Sequence, residues 1–193
     1  TFSPYDWEIS RQIINKNRRI GVSLSGIQDW VLTSFGAPVV TGWDGDTPIY
    51  NQELINEVDR LYQAVKEADA QYSATLHCNP SVKCTTVKPS GTVSKLTGVS
   101  EGMHFNYADH LIQRIRFQDT DPLLKALQAA RYHIEPDVYS ENTMVVEFPV
   151  KAASADYPGF KSAGEVSVAE QLANQAFLQK YWADNSVSCT ITF

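Results

Sequence analysis

The sequence has little cysteine, no long apolar run and no visible targeting signal. Three cysteines among 193 residues make an odd number, which fits a reducing compartment and a fold without disulfide bonds. No apolar run approaches the roughly 18 residues of a membrane span. The first residues do not combine a basic region with an apolar stretch, as a signal peptide would. We therefore expect a cytoplasmic protein without a membrane segment.

Basic residues are also scarce. The 16 lysines and arginines are outnumbered by 22 acidic residues, which gives a formal net charge of −6. This balance argues against nucleic-acid binding through bulk electrostatics. Apolar residues make up 43% of the sequence and charged residues 20%, a composition typical of a folded protein with a hydrophobic core rather than of a disordered one.

The ends of the sequence suggest a segment of a longer protein. It lacks an initiator methionine, and a strand-like alternation continues to the last residue, Phe193. No repeat, low-complexity tract or shift in composition marks a boundary between domains. We therefore expect residues 1–193 to form a single segment of one domain, truncated at both ends.

Apolar periodicity predicts alternating helices and strands. The strongest helix pattern lies at 51–76, where Leu54, Val58 and Leu61 begin a stripe with spacings of four and three. Further helices are predicted from Ser3-Pro4 to about Asn17, at 27–35, 107–117 and 122–131, and from a capping box of Ser167 and Glu170 to about Trp182. Strands are predicted at 19–26, 83–87, 143–150 and 186–193, and loops at 36–50 and 151–166. About four strands joined by helical crossovers predict parallel pairing in an α/β fold.

One stretch is unusual in its charge. Residues 70–100 contain no Asp or Glu but hold three lysines: Lys83, Lys88 and Lys95. At its centre, Lys88-Pro-Ser-Gly-Thr-Val-Ser-Lys95 leads from a predicted strand into a turn and a helix start. Backbone N–H groups in such a turn, with the hydroxyls of Ser90 and Thr92, suit phosphate oxygens, and Gly91 lets a ligand approach the backbone.

A plain strand-to-helix turn is the alternative, because Pro, Ser, Gly and Thr are ordinary turn residues. The spacing matches neither Gly-x-x-x-x-Gly-Lys-Ser/Thr nor Gly-x-Gly-x-x-Gly, two common phosphate-binding motifs. Composition and spacing alone therefore predict an α/β segment with a candidate anion site.

Other reactive side chains give weak signals. Cys78 and Cys84 could bind zinc with His77, but no second cysteine pair follows, so isolated thiols are the better interpretation. Cys189 lies on the apolar face of a predicted strand, and His104 beside Met and Phe fits a structural role. Two glutamates could act as acid or base, but nothing pairs them with a nucleophile: Glu101 and Glu147. The sequence thus predicts no metal site and no catalytic residue.

Four strings of residues resemble a known family. Residues 85–104, Thr-Thr-Val-Lys-Pro-Ser-Gly-Thr-Val-Ser-Lys-Leu-Thr-Gly-Val-Ser-Glu-Gly-Met-His, closely resemble the substrate-phosphate loop region of adenosylcobalamin-dependent, class II ribonucleoside-triphosphate reductases of the monomeric type found in lactobacilli. Residues 17–29, 111–119 and 184–193 are similar to the same family, in the same order. The resemblance covers essentially the whole chain and indicates an internal portion of such a reductase.

The resemblance implies a fold and an activity for the parent protein. The fold would be part of a ten-stranded α/β barrel. The reaction would replace the ribose 2′-hydroxyl of a ribonucleoside triphosphate by hydrogen, supplying deoxyribonucleotides for DNA synthesis. Adenosylcobalamin would generate a cysteine thiyl radical, two further cysteines would supply electrons, and thioredoxin would reduce them again. A deoxynucleotide effector would bind outside this segment, and the parent protein would be a monomer.

The resemblance also implies a phosphate-binding site within this chain and a radical site outside it. Five residues match the loop that holds the substrate's phosphates: Pro89, Ser90, Gly91, Thr92 and Val93. The region of roughly 128–193 is associated with adenosylcobalamin. The family's radical cysteine and catalytic glutamate lie in an Asn-Pro-Cys-Gly-Glu motif, which is expected upstream of this chain. Cys78-Asn-Pro-Ser is only faintly similar, because Ser replaces the cysteine.

The three cysteines of the chain therefore inherit no redox role, and the segment alone is expected to be inactive. Two alternatives stay open at this point. One is a free-standing nucleotide- or phosphate-binding α/β module without catalysis, and the other is a structural remnant without a ligand.

Overall fold

The computed structural model describes residues 7–193, without the side chain of Leu96. Its helices are α1 (Glu8–Asn17), α2 (Ile27–Phe35), α3 (Gln52–Thr75), α4 (Val93–Thr97), α5 (Leu123–Ala129) and α6 (Val168–Tyr181), with a 3₁₀ turn at Ala163–Glu165. Its strands are β1 (Val22–Ser23), β2 (Val40–Asp44), β3 (Thr47–Tyr50), β4 (Thr85–Thr86), β5 (His110–Gln118), β6 (His133–Pro136) and β7 (Thr143–Lys151). The predicted start of the first helix, at Ser3-Pro4, lies outside the described residues.

The longest helices form where the apolar spacing predicts them. Helix α3 begins after Asn51, whose side-chain oxygen accepts hydrogen bonds from the N–H groups of Glu53 and Leu54. Helix α6 begins after Ser167, whose hydroxyl accepts the N–H of Glu170 at 3.1 Å. The predicted capping box is only half formed, because the Glu170 carboxylate turns to Lys161 instead.

The main core lies where α2, α3 and α6 meet. Leu54 and Val58 of α3 are fully buried, and Phe177 of α6 is 1% exposed. Tyr50, at the end of β3, packs on Phe177 and Tyr181, with ring centroids 5.2 and 6.2 Å away. Burial of these large side chains fixes the three helices relative to one another.

The sheets correct the prediction of about four parallel strands. Among the described residues, parallel pairing occurs only between β1 and β4, through Val22 with Thr85 and Ser23 with Thr86. Strands β5, β7 and β6 form an antiparallel sheet in that order, and β2 pairs with β3 as an antiparallel hairpin. The fold mixes helices and strands as predicted, but these small sheets do not close a barrel by themselves. The ten-stranded barrel stays a prediction.

The predicted helix at 107–117 is wrong, because these residues form β5. Its residues alternate between two faces: Leu111 and Ile115 pair with Val150 and Val146 on one face, and Arg114 pairs with Glu147 on the other. The Arg114 guanidinium contacts the carboxylates of Glu135 and Glu147. The strand conformation is therefore favoured by contacts of Arg114 with acids 21 and 33 residues away in the sequence.

Two further segments differ from their predictions. The predicted loop at 36–50 contains the β2–β3 hairpin, because Gly45 and Asp46 form its two-residue turn, with Gly45 at φ +57°. Strand β6 was not predicted at all. The glycines and prolines that indicate a loop therefore mark a turn and its neighbouring short strands.

The predicted C-terminal strand, 186–193, has the expected alternation of buried and exposed residues but does not pair with another strand in the described chain. Val187 is buried and Cys189 and Ile191 are half-buried, whereas the residues between them are exposed. Within the described chain, the segment bonds to side chains instead of a neighbouring strand: the N–H groups of Val187 and Thr192 donate to the amide oxygens of Gln179 and Gln171.

No helix in the described range 7–193 combines the length and the apolar character needed to cross a membrane.

Candidate functional site

The predicted phosphate loop, Pro89 to Val93, lies between β4 and α4 and includes the first residue of α4. Ser90 has a left-handed conformation, with φ +50°. Its hydroxyl lies 2.6 Å from that of Ser94 and accepts the N–H of Gly102 at 2.8 Å. The Ser90 side chain thus holds the loop in shape, rather than pointing outwards as a free ligand group.

Gly102 closes the back of the loop. Its φ is +51°, and a Cβ at this position would lie 2.3 Å from the carbonyl oxygen of Lys88. No side chain fits that gap, so a glycine is required here. The segment 100–104 therefore packs directly against the loop.

The front of the loop is open. Gly91, Thr92 and Val93 are exposed, and their N–H groups donate to no other group of the described chain. A Cβ on Gly91 would meet only the Glu101 carboxylate, at 3.6 Å. The Thr92 hydroxyl caps nothing. Three adjacent N–H groups and one hydroxyl are thus available to an anion.

The three lysines of the acid-free stretch have different surroundings. Lys83 donates to the backbone oxygen of Asp184 at 2.6 Å, far along the chain. Lys95 pairs with Glu101 at 2.6 Å between the two charged groups. Lys88 is exposed and makes no ion pair with any described residue. Lys88 and Lys95 therefore flank the loop, whereas Lys83 serves the fold.

A buried carboxylate anchors the segments around the loop. Asp29 of α2 is 4% exposed. Its Oδ2 accepts the N–H of Ser100 at 2.7 Å, and its Oδ1 accepts the side chains of Asn106 and Ser154 at 2.9 and 2.5 Å. These hydrogen bonds offset the cost of burying the charge. Asp29 was not predicted, because its partners lie 71 to 125 residues away.

His104 joins the same region to the end of the chain. Its Nε2 accepts the N–H of Thr190 at 2.9 Å, so the ring proton belongs on Nδ1, which lies 2.9 Å from the Glu101 carbonyl oxygen. The predicted structural role of His104 agrees with this geometry.

Two cavities lie near the loop, and only the smaller one is lined by loop residues. The larger has a volume of about 680 Å³ and lies between 100–112 and the C-terminal segment, and the smaller, about 430 Å³, lies between Gly91, Thr92 and the apolar face of β5 and β7. Lys95 borders both. Ser100 lines the larger one, and its hydroxyl is buried with no hydrogen-bond partner in the described chain.

The region of roughly 128–193, predicted to contact adenosylcobalamin, supplies four residues to the larger cavity: Ala163, Gln171, Thr190 and Thr192. The amide of Gln171 is already occupied, because it bonds both the N–H and the carbonyl oxygen of Thr192. The assignment of this region to adenosylcobalamin stays a prediction.

The cysteines do not assemble into a reactive site. All three are free thiols. Cys84 is fully buried, and this burial raises the pKa of its thiol, which disfavours the reactive thiolate. Glu147, a possible acid or base by sequence, pairs with Arg114 on the sheet. In the described chain, Glu147 lies close enough to His133 and Glu135 for the three side chains to share a metal ion. The Arg114 guanidinium, however, already contacts the carboxylates of Glu135 and Glu147.

Comparisons with known proteins agree on one family. No family model matches the chain. The adenosylcobalamin-dependent ribonucleoside-triphosphate reductases of Levilactobacillus brevis, Lactobacillus gasseri and Lactobacillus leichmannii are 68%, 65% and 64% identical to it. A crystal structure of a B12-dependent (class II) ribonucleotide reductase superimposes with a TM-score of 0.90 at 64% identity. All four cover the whole of this chain, and the chain spans only 27–28% of their length.

Proposed function

This chain corresponds from end to end to one segment of the adenosylcobalamin-dependent, class II ribonucleoside-triphosphate reductases, and we propose that it binds the substrate's phosphates in a reductase of that kind. The observation that carries the proposal is the open loop of Gly91, Thr92 and Val93, with three unused N–H groups. The five residues Pro89 to Val93 form this phosphate site, and residues 1–193 form one segment of the catalytic domain.

The parent protein would reduce ribonucleoside triphosphates to 2′-deoxyribonucleoside triphosphates. Adenosylcobalamin, when bound to it, supplies the radical chemistry. The radical cysteine and catalytic glutamate lie outside this chain, as do the effector site and the cysteines that thioredoxin reduces. We expect the parent protein to be a cytoplasmic monomer and the isolated segment to be inactive.

Each part of the loop has its own task in this proposal. The N–H groups of Gly91, Thr92 and Val93 donate to phosphate oxygens, and the Thr92 hydroxyl adds a fourth hydrogen bond. Ser90 acts indirectly, because its hydroxyl fixes the loop through Gly102. Pro89 has no N–H to donate, so it shapes the turn.

Replacing Gly91 or Thr92 in the full-length reductase tests the proposal. Gly91→Val fills the space in front of the N–H groups, and Thr92→Val removes the hydroxyl but keeps the shape. Because hydrogen bonds to charged groups are lost, we expect KM for the nucleoside triphosphate to rise about tenfold or more, with a smaller change in kcat.

Two matched controls separate this effect from damage to the fold. Gly164→Val also adds a side chain in open space, and Thr120→Val changes an exposed turn threonine remote in sequence from the loop. Both should leave KM within about twofold. Unchanged KM in Gly91→Val and Thr92→Val would contradict the assignment of the phosphate loop.

A further inference from the structure

We propose that Glu101 competes with the substrate for the phosphate site: its carboxylate holds Lys95 while the site is free, and a phosphate group displaces it. The inference rests on the proposed function of the loop. It assigns a specificity role to a residue that the loop motif itself does not include.

The Glu101 carboxylate lies where an anion would bind. One of its oxygens is 2.6 Å from Lys95 Nζ. The other would be 3.6 Å from a Cβ built on Gly91, the open position at the front of the loop. The carboxylate therefore borders both Lys95 and the open side of Gly91.

The pair can exchange at low cost. The Lys95 and Glu101 side chains are 33% and 38% exposed, and exposed pairs of this kind are weak. Lys95 borders both cavities beside the loop, including the one formed with Gly91 and Thr92. Its long side chain can therefore transfer from the carboxylate to a ligand in that cavity.

The fold does not need this carboxylate. The segment around Glu101 is held by other groups: the N–H of Ser100 donates to Asp29, and the N–H of Gly102 donates to Ser90. His104 bonds the backbone oxygen of Glu101, not its side chain. The ion pair with Lys95 is thus the one contact that Glu101→Gln removes from the described chain.

The charge pattern supports the same conclusion. Glu101 is the first acid after the 31 residues 70–100, which contain none. An acid beside a site for a highly charged anion opposes binding, unless the ligand displaces the acid from its lysine. Only a ligand that brings its own negative charge to Lys95 can then replace the carboxylate without leaving the lysine unpaired.

Inorganic tripolyphosphate is the probe for this exchange. Its inhibition constant, Ki, in competition with the nucleoside triphosphate should be measured on the full-length reductase at a fixed effector concentration. Glu101→Gln should lower Ki about two- to fivefold, because the ligand then no longer has to break one exposed ion pair. Lys95→Gln should raise Ki about tenfold. Glu141→Gln, an exposed acid without an ion pair in the described chain, removes the same charge and should leave Ki unchanged.

The double variant decides how Glu101 acts. If Glu101 competes for Lys95, Glu101→Gln should have almost no effect once Lys95→Gln is present. An equal effect in both backgrounds would overturn the inference, since Glu101 would then repel the ligand directly. An unchanged or higher Ki in Glu101→Gln alone would also overturn it.

The same measurements distinguish this inference from the proposed function. If Gly91→Val raises Ki but Glu101→Gln has no effect, the phosphate loop stands and the competition by Glu101 fails. If neither Gly91→Val nor Lys95→Gln changes Ki, the phosphate-loop assignment itself fails, and this inference fails with it.

Discussion

Asp184 shows how one side chain joins distant parts of this fold. Its Oδ1 accepts the Tyr62 hydroxyl of α3 at 2.8 Å, and its Oδ2 accepts the N–H groups of Cys84 and Thr85 at 2.7 and 3.3 Å. Burial alone would raise the pKa of Asp184, but these hydrogen bonds outweigh burial and lower it. The ionised carboxylate therefore stabilises the contact between α3, β4 and the end of α6.

The lowered pKa predicts a pH dependence for this contact. Since the folded-state pKa lies below that of the unfolded chain, the stabilisation is present above the unfolded value and is lost as pH falls through the folded one. Asp184→Asn should weaken the protection of the Cys84 and Thr85 amides by about 1–3 kcal/mol at neutral pH. The difference in this protection between the variant and the natural protein should shrink below about pH 4.

Hydrogen exchange of the full-length protein, corrected for the intrinsic rate at each pH, would measure this protection. Asp44→Asn, in the exposed β2–β3 hairpin, is the matched control. A deficit in Asp184→Asn that is equal at pH 7 and pH 3 would contradict the role given to the charge.

At the scale of single residues, the sequence reveals groups whose partners are close in the chain. The turn around Gly91 and the N-cap of α6 at Ser167 are of this kind. Asp29 and Asp184 were missed, because their partners lie about 70 to 125 residues away and no spacing marks them. The bond between Ser90 and Gly102 was not predicted either, since only the fold brings Gly102 to the Ser90 hydroxyl.

Among the elements, α6 substitutes for a neighbouring strand. Three glutamines spaced four residues apart lie on one side of the helix: Gln171, Gln175 and Gln179. The first bonds Thr192 through both its amide oxygen and its amide nitrogen, and the other two bond Val187. Side-chain amides thus provide hydrogen bonds for the backbone of a segment that alternates like a strand but joins no sheet in the described chain.

Removing one of these amides should release the end of the segment. Gln171 is 5% exposed, and Gln171→Leu keeps its approximate volume but loses both bonds to Thr192. We expect the Thr192 amide to lose about 1–3 kcal/mol of protection against hydrogen exchange in the full-length protein. Gln63→Leu, on the exposed side of α3, is the control. Full protection of Thr192 in Gln171→Leu would show that another partner holds this segment.

The elements also show which patterns a sequence resolves. Helix α3 has apolar residues at regular spacing over 24 residues, so its periodicity is unambiguous. Residues 110–118 carry apolar and charged residues that suit either a helix or a strand. Their strand form depends on Arg114 meeting Glu147 across the sheet, and that contact is invisible in a local pattern.

The whole molecule combines three small sheets with helices around one core. The mixture of helices and strands was predicted from the sequence, but the pairing of the strands was not, because register depends on long-range contacts. Several apolar side chains of α1 and β1 are exposed, among them Ile9, Ile13 and Val22. Such surfaces fit a segment that packs against further parts of a longer protein.

A crystal structure of the full-length protein with a bound nucleoside triphosphate would show directly whether this loop holds phosphate. We expect phosphate oxygens within hydrogen-bond distance of the N–H groups of Gly91, Thr92 and Val93, and Lys95 turned from Glu101 to the ligand. Phosphates bound elsewhere in the protein, with this loop empty, would contradict this expectation.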